Sequence, residues 1–313
     1  MPLHSLSESS FSDRSFSLSR RDFLARSSAA LAGLMVLRVG HGAESKNSIR
    51  FALLSDTHIP SSPEVIARDT NMTENLKQVV GELLRLDRKP QGVIINGDCA
   101  YLKGLPADYA NLAQCLQPII DAQLPLHVTM GNHDDHEPLY NALSGQRPKT
   151  PLVGSQHVTV LETPFANLFL LDTQKAVNVV TGELGKEQLK WLGQALDARA
   201  DKPAILIAHH TPQFTPPAEG KVWSGIADTA EFFDLIDSKK QVKAFIFGHS
   251  HRWNISERNG VHLVNLPPVA YVFSKDIPNG WVDAEVRENG INLKLHTIDP
   301  AHPKNLEIVN LTW

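Results

Sequence analysis

The chain has 313 residues, of which 42% are hydrophobic and 20% are charged, so it can bury one large core or two small ones. Its formal net charge of −4 argues against a general nucleic-acid-binding protein, which would normally be basic. Two cysteines, Cys99 and Cys115, are too few for a disulfide framework, and we expect free thiols. No apolar run reaches eighteen residues, so we expect no stable transmembrane span.

The first 43 residues differ in composition from the rest of the chain. Residues 1–19 are polar and serine-rich, and the segment SRRDFL at residues 19–24 precedes a modest apolar stretch over residues 29–37. This segment is similar to a twin-arginine export signal, whose pattern is S-R-R-x-F-L-K, although Ala25 replaces the lysine. The resemblance implies contact with the twin-arginine translocation machinery and a periplasmic or extracellular location. The alternative is an amphipathic helix with a basic start.

Residues 44–313 contain no linker-like stretch, and we predict that they form one domain. Apolar runs predict strands at residues 49–56 and 92–98. One-sided apolar spacing predicts a helix at residues 73–86. A second helix is predicted over residues 105–122, with an interruption at Pro118, because proline lacks the backbone N–H that a helix needs.

Later in the chain, strands become more frequent than helices. A third strand precedes the polar residues of LPLHVTMGNHDDH, a hairpin is predicted over residues 157–173, and a helix over residues 183–199. Further strands are predicted in PAILIAHHTP, VKAFIFGHSH, VHLVNLPPV, GWVDAEVREN and GINLKLHTI, of which the last three alternate as half-buried antiparallel strands do. This order predicts a mixed, layered α/β domain.

Five of the predicted strands end in side chains that can bind metal ions. These are Asp56 and His58, Asp98, Asn132 and His133, His209 and His210, and His249 and His251. In layered α/β proteins, ligands collect at the carboxyl ends of strands, so we expect these side chains to converge. A strand-terminal aspartate can instead cap a helix, and a lone histidine is usually a polar surface residue or a core residue. Five such coincidences argue against that explanation.

The ordered series DTH, GD, GNHD, AHH and GHSH, from residue 56 to residue 251, resembles the calcineurin-like metallophosphoesterases. The resemblance implies a four-layer α/β/β/α sandwich of two mixed β-sheets flanked by helices. It also implies a phosphoester hydrolase in which a hydroxide that bridges two metal ions attacks phosphorus in line. The motifs look closest to the bacterial branch that includes cyclic-nucleotide and glycerophosphodiester phosphodiesterases, which favours a diester substrate.

The resemblance also implies a role for each matching residue. One ion would be held by Asp56, His58, Asp98 and His251. The second ion would be held by Asp98, Asn132, His209 and His249. Asp98 would bridge the two ions, and the mixed nitrogen and oxygen ligands favour Mn, Fe, Zn or Co over Ca or Mg. His133 would act beside Asn132 and Asp98 in catalysis, either stabilising the phosphoryl oxygens or protonating the leaving oxygen.

Some residues near these motifs have two interpretations. We predict that His210 supports or packs against the site, because His209 directly follows the strand. Tyr101 gives G-D-x-x-Y, which resembles the purple acid phosphatases, but those enzymes lack the histidine found here as His58. We therefore predict that Tyr101 lines the pocket without binding metal. Asp134 and Asp135 either orient His133 or form a solvated turn.

Specificity is expected to come from loops at residues 59–72, 137–151 and 211–225. Candidate substrate contacts outside the ligand motifs are Arg68, Trp223 and Trp253. Three other functions stay open at this stage: a phosphomonoesterase similar to the acid phosphatases, a metal-dependent hydrolase of another ester, and a non-catalytic metal-binding scaffold.

Overall fold

The computed structural model of the protein describes residues 47–313. The predicted twin-arginine segment, and the predicted boundary at residue 43, lie outside these residues. In chain order the strands are β1 (Ile49–Ser55), β2 (Ile66–Ala67), β3 (Thr70–Asn71), β4 (Gly92–Asn96), β5 (Leu126–Thr129), β6 (Thr159–Glu162), β7 (Asn167–Leu170), β8 (Ala204–Ile207), β9 (Val242–Phe247), β10 (Asn254–Arg258), β11 (Val261–Asn265), β12 (Gly280–Arg287), β13 (Gly290–Thr297) and β14 (Ile308–Thr312). The helices are α1 (Met72–Arg85), α2 (Pro106–Asp121), α3 (His136–Ala142), α4 (Gly185–Asp197) and α5 (Thr229–Asp237), with a 3₁₀ turn at Ser144–Gln146.

Twelve of these strands form two six-stranded mixed sheets. The first sheet has the order β14–β13–β12–β1–β4–β5, and the second has the order β10–β11–β9–β8–β7–β6. The neighbours β1, β4 and β5 run parallel, as do β7, β8, β9 and β11. Parallel neighbours place their carboxyl ends at one edge of the sheet, so each sheet presents several strand ends together.

The strand β1 shows how the layers are built. Its side chains alternate, so that Ala52 and Leu54 pack against α1 and α2, whereas Phe51 and Leu53 pack between the two sheets. A third apolar cluster joins the outer face of the second sheet to α4 and α5. The predicted four-layer α/β/β/α sandwich is therefore confirmed. No helix of residues 47–313 is long and apolar enough to span a bilayer.

The predicted interruption at Pro118 is wrong, because α2 continues through this residue to Asp121. Proline removes the hydrogen bond to the carbonyl group four residues earlier, which belongs to Gln114. Both Gln114 and Pro118 lie on the exposed face of α2, so water can reach the carbonyl group that loses its partner. The helix needs only one more turn, which Ala122 closes by donating its backbone N–H to the Pro118 carbonyl oxygen.

The other predicted helices and the five apolar strands are found within one or two residues of their expected positions. No sequence pattern predicted β2, β3, α3, α5, β10 or β14, which are short or lie at sheet edges. The strand predicted in VHLVNLPPV runs through Pro267 and Pro268, but β11 already ends at Asn265. The strand β11 is antiparallel to β10 as predicted, but parallel to β9.

Candidate metal centre

Six of the seven candidate ligands follow the carboxyl ends of four strands, two from the parallel part of each sheet. Asp56 and His58 follow β1, and Asp98 follows β4. From the second sheet, His209 follows β8, while His249 and His251 follow β9. All of them are buried except His249, which is half-buried. The structure thus brings together residues that are up to 195 positions apart in the sequence.

Asp56, His58 and His251 form the first candidate group, in which the ligand atoms all lie within 4.8 Å of one another. The Nε2 atoms of His58 and His251 are 2.9 Å apart, and the His251 Nε2 is 3.5 Å from the Asp56 Oδ1. Two imidazole nitrogens and a carboxylate oxygen therefore face one point, as the ligands of a metal ion do.

Asp98, His209 and His249 form the second candidate group, with the same maximum separation. The His209 Nε2 lies 3.3 Å from the Asp98 Oδ2 and 3.3 Å from the His249 Nδ1. The same Asp98 oxygen is 3.7 Å from the Nε2 of His58, which belongs to the first group. The Asp98 carboxylate therefore lies between the two groups.

Backbone carbonyl groups fix the orientation of three of the imidazoles. His209 donates its Nδ1 hydrogen to the Asn96 carbonyl oxygen at 2.9 Å, and His251 donates its Nδ1 hydrogen to the Tyr271 carbonyl oxygen at 2.7 Å. His249 donates from Nε2 to the Ser224 carbonyl oxygen at 2.8 Å. A carbonyl oxygen can only accept, so in each neutral ring the other nitrogen keeps a free lone pair that faces the group. Histidine ligands of metals are held in this way.

The backbone at the candidate ligands is unusual. The φ angles of Asp56, His58, Asp98, His249 and His251 lie between 44° and 66°, in the left-handed region. A residue other than glycine in this region costs on the order of 1–3 kcal/mol and persists only where surrounding contacts impose it. Such strain concentrated in five residues of one centre is a common property of functional sites.

The electrostatics of the centre favour a bound cation. Burial lowers the pKa of His58 to about 3 and that of His249 to about 4, so both rings are neutral at physiological pH. Burial also opposes protonation of His209, but the carboxylates of Asp98 and Asp56 outweigh it and raise the His209 pKa to about 10. The two carboxylates thus attract positive charge to the point that a cation would take. Neutral imidazoles with carboxylates suit a transition metal better than Ca or Mg.

Asn132 and His133 follow β5 and lie beside the two groups. The Asn132 Oδ1 is buried and accepts no hydrogen bond from any of residues 47–313, which leaves its lone pairs available to an ion. His133 donates its backbone N–H to the Asp98 Oδ1 at 2.9 Å and its Nδ1 hydrogen to the Leu102 carbonyl oxygen at 2.6 Å. Its ring is half-buried, 5.4 Å from the His58 ring, so the His133 Nε2 can face a substrate or an ion.

Neither interpretation of Asp134 and Asp135 is correct. Asp134 is fully buried and accepts hydrogen bonds from the backbone N–H groups of Cys99, Ala100 and Gly131, and from the Tyr109 hydroxyl. It therefore ties the loop after β4 to the loop after β5, both of which carry candidate ligands. Asp135 caps α3, because its carboxylate accepts from the Glu137 backbone N–H at 3.3 Å.

The other residues that the sequence marked are placed clearly. His210 is buried and contacts the Thr173 hydroxyl at 2.8 Å, while His209 faces Asp98. Tyr101 is half-buried and packs against the apolar cluster below α1 and α2. Trp253 lies in the core between the sheets, so this candidate substrate contact is a packing residue. Cys99 and Cys115 are both buried and free.

Two aromatic residues that no sequence motif marked lie beside the first group. The Tyr271 ring stacks on the His58 ring at 5.3 Å between centroids, and the Phe273 ring lies 4.8 Å from the His251 ring. Both residues lie in the irregular segment between β11 and β12. The Pro267–Pro268 pair was the signal that could have placed this segment outside a strand, and hence in a loop near the strand ends.

The profile of the calcineurin-like phosphoesterase family matches residues 49–253, and the chain belongs to this family. It is a dimetal phosphoesterase, a hydrolase of phosphoric ester bonds. Candidate ligand groups for the two ions are present in the structure.

Within this family the chain is similar to several named proteins. It is 26% identical over 254 residues to a probable cyclic nucleotide phosphodiesterase of a Synechococcus strain, covering 80% of this chain and 93% of that protein. It is 25% identical over 224 residues to a glycerophosphodiester phosphodiesterase of Enterobacter lignolyticus, covering 70% of this chain and 77% of that protein. The solved structure of a dimetal phosphatase from Danio rerio matches with a TM-score of 0.64 at 15% identity, covering 86% of this chain and all of that one, which shows the fold alone.

Proposed function

We propose that this chain is a phosphodiesterase with two transition-metal ions, bound at the two candidate groups. One ion would be held by Asp56, His58, Asp98 and His251. The second ion would be held by Asp98, Asn132, His209 and His249. Manganese, iron or zinc suits these nitrogen and oxygen ligands.

The position of the Asp98 carboxylate between the two groups is the observation that supports this assignment. Its Oδ2 lies 3.7 Å from the His58 Nε2 on one side and 3.3 Å from the His209 Nε2 on the other. Two adjacent cations repel each other, so an anionic ligand between them is required. A carboxylate in this place supports a pair of ions rather than a single ion.

The chain's own residues would bind and orient the phosphoester. When bound, the two cations would supply the charge that polarises phosphoryl oxygens and lowers the pKa of a water molecule. His133 would contact the phosphoryl group through Nε2, because its Nδ1 hydrogen is already donated to Leu102. In its protonated form the Nε2 can stabilise a phosphoryl oxygen or give a proton to the leaving oxygen.

The preference for a diester is supported by the names of the relatives, which describe cyclic nucleotide and glycerophosphodiester phosphodiesterases. We also propose that the chain is exported through the twin-arginine route to the periplasm or the cell exterior. The SRRDFL segment at residues 19–24 supports export. The route carries folded proteins, which suits an enzyme that receives its metal ions before export.

The test compares a diester with a monoester. Residues 44–313 would be prepared with Mn²⁺ and a measured metal content, and kcat/KM would be determined on bis(p-nitrophenyl) phosphate and on p-nitrophenyl phosphate. We expect a clear preference for the diester. A preference for the monoester would make the protein a phosphatase. Turnover of neither compound, with two ions bound per chain, would favour the non-catalytic scaffold.

A further inference from the structure

An aromatic surface extends outward from the first group of candidate ligands. Tyr271 stacks almost parallel on the His58 ring, at an angle of 20°, and lies 4.9 Å from the His251 ring. Phe273 continues this surface, with its ring 6.0 Å from the Tyr271 ring. The Phe273 side chain is 55% exposed. A large apolar ring is thus open to solvent directly beside the candidate centre, where an ester group of a bound substrate can reach it.

Arg68 lies over this aromatic surface. Its guanidinium carbon is 4.7 Å from the centroid of the Phe273 ring and 5.6 Å from that of the Tyr271 ring. Within the described residues, the Arg68 guanidinium donates no hydrogen bond and forms no ion pair, and its side chain contacts these two rings. Five N–H donors on a planar cation are therefore available to a ligand.

The backbone conformation of Arg68 also indicates that its side chain has a function. Arg68 and Asp69 are the two turn residues of the β2–β3 hairpin, in which Ala67 pairs with Thr70. Their φ angles are 50° and 62°, and a two-residue turn with both angles positive is type I′, which favours asparagine followed by glycine. Arginine is a poor choice for such a turn. The turn does not explain its presence, whereas a function of its side chain does.

We propose that Arg68, Tyr271 and Phe273 form a clamp for a planar aromatic group of the diester substrate. This inference rests on the proposed phosphodiesterase function and adds a substrate class, namely esters of nucleosides or of aryl alcohols rather than of glycerol. The flat group stacks on the exposed Phe273 ring, and the Arg68 guanidinium, which covers that ring in the structure, moves to the free face of the group. Aromatic rings and arginine planes both stack on nucleobases, whereas glycerol has no flat face to offer.

The clamp lies partly outside the region that the family profile matches. Tyr271 and Phe273 follow the end of the match at residue 253, and they belong to the irregular segment between β11 and β12. The match therefore does not cover two of the three clamp residues. The evidence for these two is their ring contacts with His58, His251 and each other.

The test uses two variants and a control from the same turn. Phe273→Ala removes the exposed ring, Arg68→Asn removes the guanidinium, and Asp69→Gly changes the neighbouring turn residue without touching the clamp. With matched metal content, kcat/KM would be measured on bis(p-nitrophenyl) phosphate and on glycerophosphoethanolamine. We expect the first two variants to lose about tenfold on the aryl diester, the effect of losing one stacked ring, and less than about twofold on the glycerol ester. Asp69→Gly should change neither rate.

Thermal unfolding separates a binding role of Arg68 from a structural one. Because asparagine suits the left-handed turn better, Arg68→Asn should raise the melting temperature while it lowers the rate on the aryl ester. A lower melting temperature, or equal losses on both esters, would assign Arg68 a structural role and overturn the clamp. Unchanged rates on the aryl ester in Phe273→Ala would overturn it as well.

Calorimetry distinguishes a failure of the clamp from a failure of the proposed function. Binding of adenosine monophosphate and of inorganic phosphate would be measured on the metal-loaded parent and on Phe273→Ala, which requires no turnover. Tighter binding of the nucleotide that disappears in the variant supports the clamp, even if the parent hydrolyses neither diester and the proposed function fails. Equal binding of the two ligands by the parent overturns the clamp, whatever the rates on diesters are.

Discussion

The candidate metal centre and the rim around it are built in different ways. In the centre, Asp56 and His209 are fully buried, and backbone carbonyl groups hold three of the imidazoles. On the rim, the side chain of Phe273 is 55% exposed, and Arg68 has only ring faces as partners among residues 47–313. Burial and backbone hydrogen bonds fix the ligands of the centre, while the rim residues are held by few contacts.

This difference separates the reaction from the choice of substrate. Changes to the metal ligands should lower the rates on all phosphoesters alike, because every ester needs the same two ions. Changes on the rim should alter the ratio between substrates and leave metal binding intact. A variant that breaks this rule would show that the two regions are coupled.

The largest effect is expected from Asp98→Ala. Because the carboxylate lies between both groups of ligands, its loss should remove bound metal and lower kcat/KM on every substrate by a factor on the order of 10³ or more. The metal content would be measured by elemental analysis, with Asp197→Ala, a change in an exposed ion pair, as the control. Full occupancy by two ions in the Asp98 variant would contradict the bridging role.

His133→Ala should have the next largest effect. The variant should keep its metal ions but lose turnover by a factor on the order of 10², the usual contribution of a general acid. The leaving group tells the two possible roles apart. If His133 protonates the leaving oxygen, the loss should be larger on glycerophosphoethanolamine than on bis(p-nitrophenyl) phosphate, whose leaving group needs no proton. If it stabilises phosphoryl oxygens, the losses should be equal.

Loss of metal in that variant would instead make His133 a ligand. Its ligand atom lies within 4.8 Å of those of His58 and Asp98, so the measurement has a defined alternative outcome.

Gly131→Ala tests how closely the centre is packed. A Cβ atom at this position would lie 2.2 Å from both the backbone nitrogen and the Oδ1 of Asp98, so the Asp98 carboxylate would have to move. We expect a loss of about 1–3 kcal/mol in the free energy of unfolding, together with weaker metal binding. Gly145→Ala is the matched control, because nothing lies within 4 Å of the added atom. Equal stability of the two variants would show that the centre tolerates displacement.

The smallest effect concerns His127, which lies outside the centre and the rim. This histidine should make the free energy of unfolding depend on pH. Burial lowers the pKa of His127 to about 4, and its Nε2 has no hydrogen-bond partner among the described residues. The unfolded chain takes up a proton near pH 6.5 while the folded chain does not, so stability should fall as the pH drops below 6.5. Between pH 7 and pH 5 this loss is about 2 kcal/mol.

Denaturant unfolding of the parent and of His127→Leu at these two pH values checks the prediction. The variant should lose about 2 kcal/mol less than the parent on acidification, and the contribution of the metal ligands cancels in the comparison. An equal loss in both proteins would exclude His127 as a source of the acid sensitivity.

The sequence predicted the strands of the core well, because their apolar runs are continuous and end in polar residues. It also pointed to the candidate ligands, since residues at strand ends converge when parallel strands lie side by side. It missed α3, whose seven residues are too few for a recognisable apolar period, and the edge strands β10 and β14, which are largely exposed.

The groups that hold the candidate ligands in place were harder to predict than the ligands themselves. The Asn96, Ser224 and Tyr271 groups that orient the imidazoles are backbone carbonyls, which every residue type carries, so no sequence pattern marks them. Asp134 looked like part of a polar turn because its neighbours are polar. Its burial follows from the approach of two loops that only the folded chain brings together.

Two loops of the rim orient imidazoles of the centre through their backbone carbonyl groups, whereas the β2–β3 hairpin does not. Ser224 lies in the loop after β8 and Tyr271 in the segment after β11, and each holds an imidazole of the centre through its backbone. Any residue type can supply these carbonyl groups, but a shift of the chain at either point would release an imidazole of the centre. The β2–β3 hairpin supplies no such carbonyl, so its length and turn can change without cost to the ions. The β2–β3 hairpin is therefore the segment in which changes of substrate specificity can be introduced without loss of metal.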